Sequence, residues 1–264
     1  MNFIILPKFF LPKFYTQKLR VGRKYDGGYI VSRKALKNSE ILFSFGLYDD
    51  WSFEKDFLKY NQKAKVYIFD GSIDIFFWIK YLIKNLIYFV KIKISFLKFL
   101  KNYLQFLLFP FFILKKRVNF KKKYIISSNT KKSTKTVSVL DLIKKYQNNK
   151  IFFKIDIENN EYRILKDLIK VQNNIECLVI EFHNINKKLD KIKKFIETID
   201  LKLIHVHVNN YGKIIKIGLP SVVELTFTKN YYCKKKQLKN FPVKNLDYPN
   251  NPNKPDLQIR FIEY

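Results

Sequence analysis

Apolar positions recur along the chain in two periods. Short runs rich in Ile, Val and Phe stand at 41–47, 66–69, 124–127, 151–157, 177–182, 201–208 and 222–228, which is the length and composition of buried strands. Between most of them apolar residues return at spacings of three and four, predicting helices over 51–60, 137–146, 161–169 and 188–199. The first of these follows Asp49-Asp50, residue types suited to an N-cap, and carries Glu54 in its first turn. Strands alternating with helices predict an α/β fold with a largely parallel sheet of seven strands. The last two runs are joined by a turn-rich stretch around Asn209-Asn210-Tyr211-Gly212 and Gly218-Leu219-Pro220, so they are expected to form an antiparallel pair at one edge. A single domain over 1–264 is expected, with a Pro/Asn-rich tail at 240–264 that hugs the surface or is loosely ordered.

The most apolar stretch, 75–114, interrupts this alternation. Lys80, Lys84, Lys91, Lys93, Lys98 and Lys101 cut it, so no piece reaches the ~18–20 uncharged residues of a bilayer span. The spacing of Lys80, Lys84, Lys91, Lys98 and Lys101 puts them on one face of a helix, with Phe, Leu, Ile and Tyr on the rest. An amphipathic helical insertion is predicted, either packed on the sheet with a solvated lysine edge or lying on an anionic membrane surface. The run before Lys8 is too short for a signal peptide, and Pro7 and Pro12 interrupt the region. The expectation is a cytoplasmic protein without a transmembrane helix, at most peripheral on the inner face of a membrane.

Composition adds charge to this picture. The 264 residues include 51 Lys+Arg against 22 Asp+Glu, a formal net charge of +29, while 26 Phe and 17 Tyr exclude a disordered chain. Cys177 and Cys233 are too few for a disulfide scaffold, which suits a reducing compartment. All but six of the basic residues are lysines, an excess that AT-rich coding produces without selection, whereas nucleic-acid readers lean on arginine forks. Neither an aromatic ribonucleoprotein motif nor a zinc module is present, so nucleic acid is not the expected partner. The field still favours anionic surfaces, whatever its origin.

In open α/β sheets ligands bind at the carboxyl ends of the strands. Gly46 ends the first run, and Asp70-Gly71-Ser72 ends the second. An acid some twenty residues beyond a glycine turn suits the two hydroxyls of an adenosine ribose. Asp156 and Glu158 close the fourth run, and Glu181 and His183 close the fifth. His205 and His207, two apart on one strand, share a face that Asn209 continues. All three histidines are therefore expected on one rim.

These residues carry a resemblance. Arg20-Val-Gly-Arg-Lys-Tyr-Asp26-Gly27-Gly28-Tyr29, Ser44-Phe-Gly46 with Asp50-Trp-Ser52-Phe53-Glu54, Phe69-Asp70, Lys154-Ile-Asp156-Ile-Glu158 with Glu161, Glu181-Phe-His183 and His205-Val-His207-Val-Asn209-Asn210 resemble the FkbM-like, class I S-adenosylmethionine-dependent methyltransferases over most of 20–229. The resemblance implies a Rossmann-like seven-stranded sheet with an antiparallel last strand, S-adenosylmethionine at the first two strand ends, and methyl transfer to a hydroxyl oxygen. Carried over by position, Gly46 lies under the cofactor and Asp70 binds its ribose, with Ser44, Gly71 and Ser72 also among the cofactor-binding residues. Asp156 then borders the methyl end, and Asp26-Gly27-Gly28 closes the site from the N-terminal side. The sequence departs from the pattern at Asn159-Asn160, where small residues are common, at Gly71, where a proline often follows the acid, and in the long apolar insertion.

The expected acceptor is a hydroxyl of a sugar, glycan or related small metabolite, which must attack the methyl in line while a base removes its proton. His183 is the first choice of base and His207 the second, oriented by Glu181 or Asp156. A divalent metal held by Asp156, Glu181 or a histidine would also acidify the hydroxyl. The ligand spacing matches no recognised signature, so no metal ligand is assigned. The competing reading is a noncatalytic basic module that binds anionic membrane or nucleic acid.

Overall fold

The computed structural model describes residues 3–215, 218–236 and 240–263. One seven-stranded sheet organises the chain: β1 (Ile41–Phe45), β2 (Lys65–Phe69), β3 (Val118–Lys121), β4 (Ile151–Ile155), β5 (Ile175–His183), β6 (Lys202–Val208) and β7 (Val222–Thr228). Their spatial order is β3-β2-β1-β4-β5-β7-β6, with β7 antiparallel to both neighbours and the other pairings parallel. The seven strands and the antiparallel last strand are those that the resemblance implies. The expected reversed hairpin is present, but its second strand sits inside the sheet and β6 takes the edge. That placement gives β7, buried from Val223 to Thr228, a hydrogen-bonded neighbour on each side.

The third strand differs from expectation. Val118–Lys121 pairs with β2, whereas Tyr124–Ile126 leaves the sheet and pairs with Thr136–Ser138. Four residues running from buried Val118 through Asn119 and Phe120 to exposed Lys121 are too short an alternation to stand out beside the more apolar run that follows.

The central strands β1 and β4 are buried at every position, as parallel strands covered on both faces must be. Alternate residues feed two cores. Phe43, Phe45 and Phe153 pack on one side with Leu178 and Ile164, and Leu42, Phe152 and Val179 pack on the other with Phe53 and Phe57. The helices α1 (Ser52–Tyr60), α4 (Val139–Lys145) and α6 (Leu189–Thr198) fall within the predicted spans, and α5 (Glu161–Lys170) runs one residue beyond its span. Asp50 holds the start of α1 by accepting the Ser52 N–H at 3.0 Å.

The insertion is two helices, not one. α2 (Ile75–Val90) and α3 (Phe96–Ile113) fold back on each other, so the lysines do not share a single helical face. Asp74 caps α2 through the Phe77 N–H, and Ser95 caps α3 through the Lys98 N–H. Between the helices, Asn85 accepts from Asn102 at 2.9 Å and donates to the Phe99 carbonyl. At the base, Trp78, Phe109 and Phe112 pack with Trp51. The 18 residues of α3 are long and apolar enough, by length and composition, to cross a membrane, and only 11% of that window is buried. The lysines that break the sequence run, Lys98 and Lys101, lie in its first two turns and so do not shorten the helix.

The tail is docked rather than loose. Phe241, Asp247 and Asn250 are buried, and Gln258–Ile262 pairs in parallel with Phe3–Pro7. Phe153 meets Phe43 and Phe45 in the middle of the larger core. Phe153→Ala is therefore expected to destabilise the chain by about 3–5 kcal/mol. Chemical denaturation should show a lower midpoint at unchanged slope.

Candidate active site at the carboxyl ends of the strands

The loop after β1 and the end of β4 touch through backbone. Gly46 has φ +80°, and a Cβ there would stand 1.7 Å from the Asp156 carbonyl oxygen, so no side chain is tolerated. Lys154, reaching up from β4, donates from Nζ to the Gly46 carbonyl at 2.6 Å. Burial opposes its charge, but Asp156, Glu54 and Asp50 outweigh it and hold the ammonium above the usual lysine range. The Asp70 carboxylate gathers the neighbouring loops. Its Oδ2 accepts the N–H groups of Leu47 and Tyr48 at 2.9 and 3.0 Å, and its Oδ1 accepts the Ser72 N–H at 2.8 Å.

These groups open onto a cavity of about 450 Å³, lined by Gly46, Tyr48, Asp70, Gly71, Ser72, Ile125, Ile126 and Asp156 among others. A bare glycine backbone, an acid after the second strand and apolar flanks fit an adenosine group. All four accepting positions of Asp70 are taken, the fourth by the Ser72 hydroxyl, so a ribose hydroxyl would bind the acid by displacing that hydroxyl. Ser44 does not line this cavity. It is fully buried and donates to Glu54, so its role is to hold that buried acid beneath the loop.

A second cavity of about 410 Å³ adjoins the first and shares Asp156 and Glu158 with it. Its other lining groups include Asp26, Glu181, His183, Asn209 and Tyr211. The Tyr29 hydroxyl donates to Glu181 at 3.0 Å and lies 3.3 Å from Asp156, while Asn209 donates to the other Glu181 oxygen at 3.0 Å. Burial, with Asp156 and Glu224 nearby, raises the Glu181 carboxyl well above its ordinary range. Burial likewise raises Asp26, which Asn250 steadies with a 3.1 Å hydrogen bond. Asp26 thus belongs to this second cavity and not to the adenosine side. Gly27 and Gly28 form the turn beneath it and are hemmed in by Asp50 and the Arg23 carbonyl, which leaves them a packing role.

His183 is the histidine that reaches the site. Its Nε2 lies 3.5 Å from Glu158, 3.7 Å from Glu181 and 3.9 Å from Asp156, and its Nδ1 lies 3.4 Å from Glu161. Burial works against the charged ring, but Glu161, Glu181 and Asp156 outweigh it and raise the pKa to about 9. The imidazole is therefore protonated at neutral pH in the free protein. Asp156, Glu158 and His183 offer ligand atoms all within 4.8 Å of one another, so they could hold a divalent cation.

The other two histidines do not join this rim. His207 is buried between Glu224 at 3.3 Å and Asp256 at 3.1 Å, and although burial alone would lower its pKa, those acids hold it well above the ordinary value. It fastens the tail to the sheet and is not placed to act as a base. His205 does the same through Asp247 at 2.8 Å. The alternation on β6 correctly puts the two on one face, but that face is covered by the tail. Sequence reasoning passed over Glu224, which stands opposite both Glu181 and His207 in the sheet register. An isolated acid within the apolar run Val222–Thr228 was the available signal.

No family model matches the chain, and no curated protein matches it. Among solved structures, the chain is similar to the precorrin-6Y C5,15-methyltransferase of Geobacter metallireducens GS-15, at 10% identity and a TM-score of 0.37, over 75% of this chain and 85% of that one. It is also similar to an O-methyltransferase from Bacillus cereus in complex with SAH, at 9% identity and a TM-score of 0.35, over 74% and 76% of the two chains. A third similarity is to the fibrillarin pre-rRNA processing protein of Methanococcus jannaschii, at 11% identity and a TM-score of 0.34, over 74% and 68%. What the site can do follows from its own topology and geometry.

The protonation of His183 is measurable. Its folded pKa exceeds the unfolded value of ~6.5, so its contribution to stability is complete below that pH and is lost as pH rises through about 9. The ring resonances in NMR should titrate near 9, and His183→Gln should remove the corresponding fall in stability. Titration near 6.5 would contradict the geometry described.

Proposed function

We propose that this chain is an S-adenosylmethionine-dependent O-methyltransferase of the FkbM-like group, acting on a hydroxyl of a sugar, glycan or related metabolite. The observation that carries the reading is the position of Asp156, which lines both an adenosine-shaped cavity and a carboxylate-rich one. Of the motif residues Asp26-Gly27-Gly28-Tyr29 and Glu181-Phe182-His183, Asp26, Glu181 and His183 line the second cavity and Tyr29 hydrogen-bonds to Glu181, which supports the narrower family assignment.

Bound in the first cavity, S-adenosylmethionine would supply an electrophilic methyl on a sulfonium cation. Asp156 and Glu158 concentrate negative potential beside it, and a cation placed there would favour the charged forms of Glu181 and Asp26, which burial otherwise opposes. Asn209 and Tyr211 give the second cavity neutral polar groups suited to a hydroxylated acceptor. Holding the acceptor oxygen in line supplies a large share of the rate, since effective molarities of ~10⁵–10⁸ M are attainable from positioning. Only neutral His183 accepts the hydroxyl proton, and positive charge brought near the ring favours the neutral form. Asp156 is the second acceptor at the same spot.

Calorimetric titration with S-adenosylhomocysteine tests this reading. Wild-type protein is expected to bind, and Asp70→Ala to weaken binding by at least about tenfold, as expected for loss of hydrogen bonds to a charged acceptor. Absence of binding to folded wild-type protein would overturn the assignment.

A further inference from the structure

The helical hairpin carries two unlike surfaces. Ile79, Ile83 and Leu86 of α2 and Leu100, Leu104 and Leu108 of α3 repeat at three and four and are exposed, an apolar row on each helix of a kind that marks an interaction surface. On the inside lies a cavity of about 590 Å³ between the hairpin and the loop after β1. It is walled by Lys84, Lys98, Lys101 and Arg23, with Tyr88 and Asp49.

The cations of that cavity come from separate elements and converge only because the insertion folds back on itself. Arg23 is engaged by Asp50, whereas among the described residues no carboxylate pairs with Lys84, Lys98 or Lys101. Lys84 instead sits over the Tyr88 ring. Three ammonium groups without an ion-pair partner, against the single acid Asp49 in that wall, call for an anion, and the exposed apolar rows of the same two helices call for hydrocarbon. A phospholipid offers both in one molecule.

We propose that the hairpin seats on an anionic phospholipid membrane, with a lipid phosphate held by Lys84, Lys98 and Lys101 and acyl chains along the exposed apolar rows. The base of α3 is fixed to the domain by Phe109 and Phe112 against Trp51 and Trp78, which keeps the helix at the surface instead of across the bilayer. Tyr48 lines both this cavity and the adenosine-shaped one. A lipid headgroup in the basic cavity is therefore next to the site, and, resting on the methyl-transfer reading, the acceptor is a hydroxyl carried on a lipid.

Flotation of the full chain with vesicles tests the proposal. Binding is expected on mixed phosphatidylglycerol and phosphatidylcholine vesicles and not on phosphatidylcholine alone. Lys84→Gln/Lys98→Gln/Lys101→Gln should lower partitioning by at least about tenfold. Lys144→Gln/Lys166→Gln/Lys170→Gln, an equal charge change on exposed positions of α4 and α5, should leave it nearly unchanged. Leu104→Ser/Leu108→Ser should also abolish flotation. S-adenosylhomocysteine binding by each variant reports folding and the methyl-donor site separately from the membrane. Equal loss from both lysine triples would assign the effect to the overall charge and overturn the cavity. Flotation on neutral vesicles, no flotation at all, or a stable dimer that covers the apolar rows would also overturn the proposal.

Discussion

Gly46 meets the Asp156 carbonyl so closely that no side chain fits between them, and the Lys154 ammonium beneath locks the loop in place. Two strand ends meet there without a side chain between them, and the floor of one cavity becomes the wall of the next. A larger residue at 46 would part β1 from β4. Without Lys154, a buried cation among Glu54, Asp50, Asp156 and Glu181, the acids would face one another uncompensated. Buried charges persist only when paired, and breaking one such pair typically costs ~3–5 kcal/mol. One lysine thus supports both the loop geometry and the negative potential of the rim.

The same logic separates the three histidines. His205 and His207 are clamped by tail acids and keep Asp247 and Asp256 on the sheet, and Asp247 is driven to about 2 because His205 and His207 outweigh its burial. His183 is left facing the cavity, with carboxylates on several sides. Its high pKa is a consequence of the acids that would favour a bound cation, so proton acceptance and cation recognition are coupled in one cluster.

Much of this was legible in the sequence. Fully buried strands such as Ile41–Phe45 and Ile151–Ile155 announce themselves by unbroken apolar runs, and Gly46, Asp70, Asp156, Glu181 and His183 fall at strand ends as reasoned. What was not legible depends on tertiary neighbours. Ser44 is assigned to the cofactor by the resemblance, but its hydroxyl turns to the buried Glu54, and Asp26, held by Asn250 from the distant tail, lines the second cavity. The lysine spacing in the insertion fits one long helix, and nothing in that periodicity marks the turn at 91–95. The tail lacks any periodic signal because its anchors are single residues, Phe241, Asp247 and Asn250, that fit sites made by other segments.

The central claim is that Asp156 and its neighbours form a site for a methyl donor's positive charge. The most direct measurement compares the affinities of S-adenosylmethionine and S-adenosylhomocysteine, which differ in that charge, for wild-type protein and Asp156→Asn. Wild type should prefer the charged ligand by about tenfold, in line with a few kcal/mol at most between close charges near a protein surface, and the variant should lose most of that preference while still binding both. Equal affinities in wild-type protein, or a preference untouched by the substitution, would contradict the account.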